Sequence, residues 1–196
     1  MKSKNDDSYM FHTPAIDIVG LQAEALGLPI IYQETAGEKE DELTDLKTLI
    51  ENAKEKYHLD GIVTGALYSV YQRERIEKIA EELGLKVFSP LWHINQEKEM
   101  RTIIDSDYEL VFTAVAAYGL DSTWLNQHIT PSHIDKLVKL EKEIGLNVAG
   151  EGGEFESLVL NCPLFKKKIV IEESKIEKTG ENSARLHIKK AKLIEK

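Results

Sequence analysis

The sequence predicts an α/β protein with a parallel sheet in its first half and a smaller α+β domain behind it. Three observations lead there. Up to about residue 97, amphipathic helical stretches alternate with short apolar runs, the pattern of parallel strands joined by crossover helices. Glycines or capping residues punctuate these runs where strand gives way to helix. In the last third the periodicity changes to strict alternation, as in antiparallel strands. The expected division is therefore 1–97 and 98–196.

Residues 16–27, IDIVGLQAEALG, place Ile16, Val19, Ala23 and Leu26 on one helical face, with Gly27 as the C-cap. LPIIYQE, 28–34, reads as a strand. The charged stretch 38–57 has Leu43, Leu46, Leu49 and Ile50 as its apolar stripe, so it reads as an amphipathic helix. DGIVTGAL, 60–67, is a short buried strand ending in a glycine turn. Ser69 and Gln72 have the spacing of a capping box and open a helix that closes at Gly84. LKVFSPLW is the next strand, NQEKEMRTIIDSD the next helix and YELVFTAVAA another strand. Thr130 and Pro131 suit the N-cap and first turn of a helix running to Gly145. KKKIVIEES and ARLHIKKAKLIEK then alternate like paired antiparallel strands.

Bulk composition excludes several functions. Of 196 residues, 42% are hydrophobic and 30% charged, enough for an ordinary core without staples. The net charge of −9 and the lack of a long basic tract argue against direct binding of DNA or RNA. Lys166, Lys167 and Lys168 read as the solvated start of a strand. No apolar run approaches the roughly 18–20 residues that span a membrane, and the polar N-terminus resembles no signal peptide. A lone cysteine, Cys162, sits in the apolar context LVLNCPLF and reads as a buried thiol in a reducing, cytoplasmic setting. The six histidines lack zinc-site spacing, so a structural zinc site is not expected.

Two segments carry possible chemistry. In GALYSVYQRERIE, 65–77, Gly65 ends a strand and a helix begins after Ser69. Ligands of open α/β sheets bind beyond the carboxyl ends of strands, and a helix N-terminus there offers free N–H groups to an anion. Tyr71, Gln72, Arg73 and Arg75 fall in its first two turns. The alternative is a capped surface helix with solvated charges. The second segment, GEGGEFES at 150–157, packs three glycines and three glutamates between two apolar runs. Gly152 and Gly153 let a backbone approach a ligand closely. On an extended segment Glu154 and Glu156 would point to one side, where paired carboxylates hold Mg²⁺ or take a proton. A solvated acidic turn is the plainer reading. Trp92 and Trp124 read as packing residues rather than ligand-stacking ones, His93 beside a strand end as a surface or satisfied-core histidine, and Tyr118 as a weak candidate for lining a cleft between domains.

These motifs resemble, in order, those of the diphthine–ammonia ligase family, the archaeal and eukaryotic branch of the N-type ATP pyrophosphatases. The resemblance rests on DSYMFHT (7–13), LQAEALGLP (21–29), GALYSVYQRERIE (65–77), AYGLDSTWL (117–125) and GEGGEFES. It implies an adenine-nucleotide alpha-hydrolase fold, Rossmann-like, followed by a family-specific α+β domain. It also implies a reaction in which ATP adenylates the carboxylate of diphthine, a modified histidine of translation elongation factor two. Ammonia then displaces AMP to leave diphthamide, and Mg²⁺ offsets the charge of the departing pyrophosphate. By the same resemblance Met10 and His12 lie near the adenine, Gly65 and Ser69 line the floor, and Gln72 and Arg75 face nucleotide or substrate. Tyr118, Gly152 and Gly153 would contact the acceptor. Glu154 and Glu156 would orient diphthine or ammonia, or hold Mg²⁺.

The sequence departs from the family in one respect. Relatives begin with a strand and an SGGKDS pyrophosphate-binding loop, and no such loop occurs here. The expectation is a chain shortened at its N-terminus: through a late start codon, as a deliberate fragment, or naturally. Such a chain would have little ligase activity alone, and loss of a central strand would leave sheet edges to be covered, for instance in a homo-oligomer. The rival expectations are an ATP pyrophosphatase acting on another acceptor and a non-catalytic acceptor-binding module.

Overall fold

The structure is a computed structural model that describes residues 1–3, 18–36, 38 and 41–196. In chain order its elements begin with β1 (Lys2–Ser3), α1 (Val19–Leu26), β2 (Glu34–Thr35), α2 (Asp41–Tyr57), β3 (Gly61–Val63), α3 (Val70–Glu82) and β4 (Lys86–Phe88). They continue with α4 (Gln96–Asp105), β5 (Glu109–Ala116), α5 (Pro131–Ile144), β6 (Phe155–Asn161), β7 (Lys167–Gly180) and β8 (Ser183–Glu195). These elements divide into two compact units. One holds β1 and residues 31–94, the other residues 18–30 and 95–196.

In the first unit β1 pairs in parallel with β2, and β3 pairs in parallel with β4. The parallel character expected from the alternation is present, but the strands are shorter than the apolar runs. LPIIYQE contributes only its last residue to β2, and Leu28, Ile30 and Tyr32 stay exposed. Helix α3 links β3 to β4 as a crossover helix. Ser69 caps it by accepting a 3.4 Å hydrogen bond from the Gln72 amide. At its far end the Leu85 N–H donates to Ala80 O and the Gly84 N–H to Glu81 O. Gly84 sits at φ +65°, so this is the glycine-dependent C-terminal motif that stops a helix.

The second unit is a four-stranded antiparallel sheet in the order β6-β5-β8-β7 with helices on both faces. Phe112, Leu120, Ile134, Leu137 and Val148 are buried among Met100 of α4 and the α5 stripe on one face. Ile18, just ahead of α1, and Ala25 within it pack with Val111, Leu158, Leu160 and Ile169 on the other. This segment packs on that core through Ile18, Leu21, Ala25 and, as expected, Leu26, but not through Val19 and Ala23; Ile16 lies outside the described residues. Two backbone-directed bonds explain the rotation. Gln22 Nε2 donates to Val159 O at 2.9 Å, and the Lys166 N–H donates to Ala25 O at 2.6 Å. Gly27 closes the helix at φ +71°, as its position predicts.

Thr130 and His133 form a capping box at the start of α5, with Pro131 in the first turn. Strand β6 was hidden inside the apolar run after the glycines. It buries Phe155, Leu158 and Leu160 and pairs with β5. Cys162 is buried, as its flanks suggest. Among the described residues no helix is long and apolar enough to cross a membrane.

Candidate functional site

Two places bring the sequence-selected residues together, one in each unit. In the first unit the carboxyl ends of β3 and β4 lie side by side. Beyond them the Thr64 N–H donates to Phe88 O at 3.0 Å, and the Thr64 and Ser89 hydroxyls pair at 2.9 Å. Gly65 follows in open space: a Cβ built there would meet nothing within 4 Å. Its backbone is therefore open to approach, and glycine is not demanded by local packing.

The turn into α3 carries a cluster of rings. Tyr68 stacks on His93 with centroids 5.0 Å apart, His93 stacks on Trp92 at 4.7 Å, and the Arg73 guanidinium lies 4.6 Å from the Trp92 centroid. His93 adopts φ +60°, held by its N–H donating to Leu67 O at 2.9 Å. Arg75 folds back along its own helix. Its guanidinium covers the Tyr71 ring at 3.4 Å, and Nη1 donates to Tyr71 O at 3.2 Å. Ser69 and Gln72 stand at the head of α3, which presents the free N–H groups of a helix start to the same edge. Sequence reasoning took Trp92 for a packing residue and His93 for a surface or satisfied-core histidine. Their position just past a strand end, on the segment facing the glycine turn, was the available signal. Met10 and His12 lie outside the described residues.

In the second unit the glycine-glutamate stretch is a built loop. Asn147 Oδ1 accepts from the Ala149 and Glu151 amides at 3.1 Å each. Glu154 closes the other side: its Oε2 accepts from the Gly152 N–H at 2.8 Å and its Oε1 from the Asn147 N–H at 3.1 Å. The glycines follow from this geometry. Gly150 and Gly153 have φ of +77° and +84°, and a Cβ on Gly152 would sit 2.7 Å from Glu154 Oε1. The apolar flanks are explained too. Phe155 is buried and stacks on Phe112 at a centroid distance of 4.0 Å, anchoring the loop to the core.

The expectation that Glu154 and Glu156 share one side of an extended segment needs correction. Strand β6 begins only at Phe155, so Glu154 belongs to the turn and its carboxylate bends back into the loop. Glu156 lies in the strand opposite Ala114. Tyr118 is 71% exposed in the turn after β5. Two further residues complete the loop's surroundings and escaped the sequence reading. Asn147 had a usable signal, since an Asn three residues before a glycine is a common turn former. Gln96, whose Oε1 accepts from the Ala149 N–H at 3.4 Å, ties the loop to the first turn of α4 and had none. Among the described residues no three His, Cys, Asp or Glu side chains converge as metal ligands.

The chain matches the diphthamide synthase N-terminal domain over residues 1–87 and the diphthamide synthase C-terminal domain over residues 95–194. It is 37% identical over 191 residues to a diphthine–ammonia ligase of Mus musculus, covering 89% of this chain and 69% of the mouse protein. The diphthine–ammonia ligase of Homo sapiens is likewise 37% identical over 185 residues, 87% of this chain and 68% of that protein. That of Schizosaccharomyces pombe is 36% identical over 182 residues, 87% of this chain but 30% of its own length. With both domains matched and identity sustained across nearly its whole length, the chain belongs to the diphthamide synthase family.

Proposed function

We propose that this protein amidates diphthine on translation elongation factor two, using ATP and ammonia and releasing AMP and pyrophosphate. The observation that carries the reading is the identity to several diphthine–ammonia ligases across both units. A carboxylate resists attack by ammonia because its oxygen is a poor leaving group, and adenylation converts that oxygen into part of AMP. The open turn at Gly65, with the α3 N-terminus beside it, suits the polyphosphate of a nucleotide. Ser69 and Gln72 would supply its donors. Arg75, folded over Tyr71, would have to swing away from its own helix to reach it. Mg²⁺ would accompany the phosphates, whose charge it offsets, with one or two carboxylates at most completing its shell.

The loop at 147–154 is the proposed acceptor end, with Gly152, Gly153 and Tyr118 lining it. Glu156 is the proposed carboxylate for orienting diphthine or ammonia. Glu154 is a positioning residue, because both its oxygens are engaged by loop amides. The proposed division near residue 97 would separate a nucleotide half from an acceptor half, with α1 grouped on the acceptor side. Incubation with Mg-ATP, ammonium and diphthine-bearing elongation factor two tests the reading. AMP and the amidated factor should appear in equal amounts. AMP release indifferent to the factor would point instead to another acceptor, and pull-down of the factor against bulk tRNA separates those alternatives.

A further inference from the structure

Two arginines stand near the head of α3, and their settings differ. Arg75 is folded onto its own helix, with its guanidinium over the Tyr71 ring and its Nη1 donating to Tyr71 O. Arg73 is held by two groups that leave its far end open. Its Nε donates to Glu77 Oε1 at 2.6 Å, one turn along the helix, and its guanidinium lies 4.6 Å from the Trp92 centroid. Neither Nη1 nor Nη2 of Arg73 meets an acceptor among the described residues. The ring beneath it is fixed in turn. Trp92 stacks on His93 and His93 on Tyr68, and the Tyr68 hydroxyl donates to Ile94 O at 3.1 Å. The backbone N–H of Trp92 donates to Ser89 O at 3.2 Å and that of His93 to Leu67 O at 2.9 Å. These contacts tie the segment after β4 to the turn that opens α3. Arg73 therefore stands beyond the carboxyl end of β4, on the edge where α/β sheets take ligands. Its stem leans toward the helix N-terminus, as helical side chains do, and so toward Ser69 and Gln72.

We propose that Arg73, and not Arg75, is an oxyanion fork that takes the phosphate oxygens of the nucleotide, with Glu77 and Trp92 as its positioning residues. The inference rests on the assignment of the nucleotide to the Gly65 turn above. A planar guanidinium engaged through Nε and one face offers its two Nη groups to a pair of oxygens on one phosphate or carboxylate. Glu77 fixes the plane of the fork without covering its outer edge, so little freedom is lost when the oxyanion binds. Adenylation gives the fork a task. An oxygen of the acceptor carboxylate forms a bond to the α-phosphorus of ATP. The bond from that phosphorus to the bridging oxygen breaks, its electron pair leaves on pyrophosphate, and no proton moves. Charge builds on phosphate oxygens as that bond breaks, and a pinned guanidinium stabilises it without reorienting. The acceptor carboxylate is the poorer occupant, because pairing with a guanidinium would hold back the oxygen that must attack.

Calorimetry on the full chain, with Mg-ATP and with inorganic pyrophosphate as probes, tests the fork in Arg73→Ala and Arg73→Lys variants. Lysine keeps the charge and the stem should alanine disturb the helix. Alanine should weaken each probe about tenfold or more, and lysine should recover only part of that. Wild-type affinity of both variants for both probes overturns the fork and leaves the nucleotide reading standing. Trp92→Leu checks the positioning role: it should weaken Mg-ATP in the Arg73 protein and have no further effect beside Arg73→Ala. Equal effects in the two backgrounds overturn that role. The second readout is fluorescence, since Trp124→Phe leaves Trp92 as the sole tryptophan. Pyrophosphate should change its emission, and sodium acetate at equal ionic strength should not. A response to acetate alone assigns the fork to a carboxylate and overturns the phosphate claim, and silence to both overturns the fork. If the wild type binds no Mg-ATP, the nucleotide reading falls, and the pyrophosphate response of Trp92 decides the fork by itself.

Discussion

Replacing Glu154 by glutamine should loosen the glycine loop while leaving the sheet intact. The carboxylate receives two backbone N–H groups, from Gly152 at 2.8 Å and Asn147 at 3.1 Å. A glutamine keeps one acceptor oxygen and sets an NH₂ against the other donor, so at least one charge-assisted bond is lost. Such a bond contributes about 1.5–3 kcal/mol. Because the loop opens locally, that loss should appear as faster amide exchange rather than as global unfolding, by roughly 10- to 150-fold. Hydrogen exchange of the peptide spanning 147–154, read beside a β5 peptide as internal control, measures it. Amidation should fall with the loop's order. Unchanged exchange at Gly152 and Asn147 would refute the role assigned to Glu154, and wild-type amidation would remove that residue from the mechanism altogether.

Gly153→Ala forces a Cβ onto φ +84° and should cost about 1–2 kcal/mol of loop stability, seen as the same rise in exchange. Gly65→Ala meets no neighbour and should leave the free energy of unfolding within about 0.5 kcal/mol of wild type, so any loss of nucleotide affinity by calorimetry reports ligand approach. Phe112→Ala removes a fully buried ring stacked on Phe155 and should cost about 3–5 kcal/mol in denaturant unfolding. Glu99 adds a pH signature. Its folded pKa lies above its unfolded value of 4.5, so its contribution is fully present below that value and is lost as pH rises to about 7. The loss is about 3 kcal/mol over that window, and Glu99→Gln should flatten the curve of stability against pH there.

Much of the fold was legible because caps and periodicity are local. Ser69, Gly84, Thr130 and Gly145 each mark a helix end in the sequence and end or begin a helix in the structure. The hairpin of β7 and β8 announced itself by alternation. The losses came where tertiary contacts decide. LPIIYQE is rich in strand formers, yet only Glu34 of it pairs. The buried face of α1 is turned by Gln22 reaching Val159, a partner 137 residues away. At the candidate site the residue types were readable but their orientations were not. Glu154 points into its own turn because the amides of Gly152 and Asn147 are bared there to bind it. Glu99 lies in a charged helical stretch of the sequence, yet the structure buries it to 7% exposure.

The most direct test is amidation itself: diphthine-bearing elongation factor two with Mg-ATP and ammonium, read by mass spectrometry of the modified histidine beside AMP release. It is run with the wild-type protein and with the Glu154→Gln variant. Conversion of the carboxylate to the amide, matched by AMP and lost in Glu154→Gln, is the predicted result. If neither form of the protein produces the amide, or if amide forms equally well in the Glu154 variant, the account is contradicted.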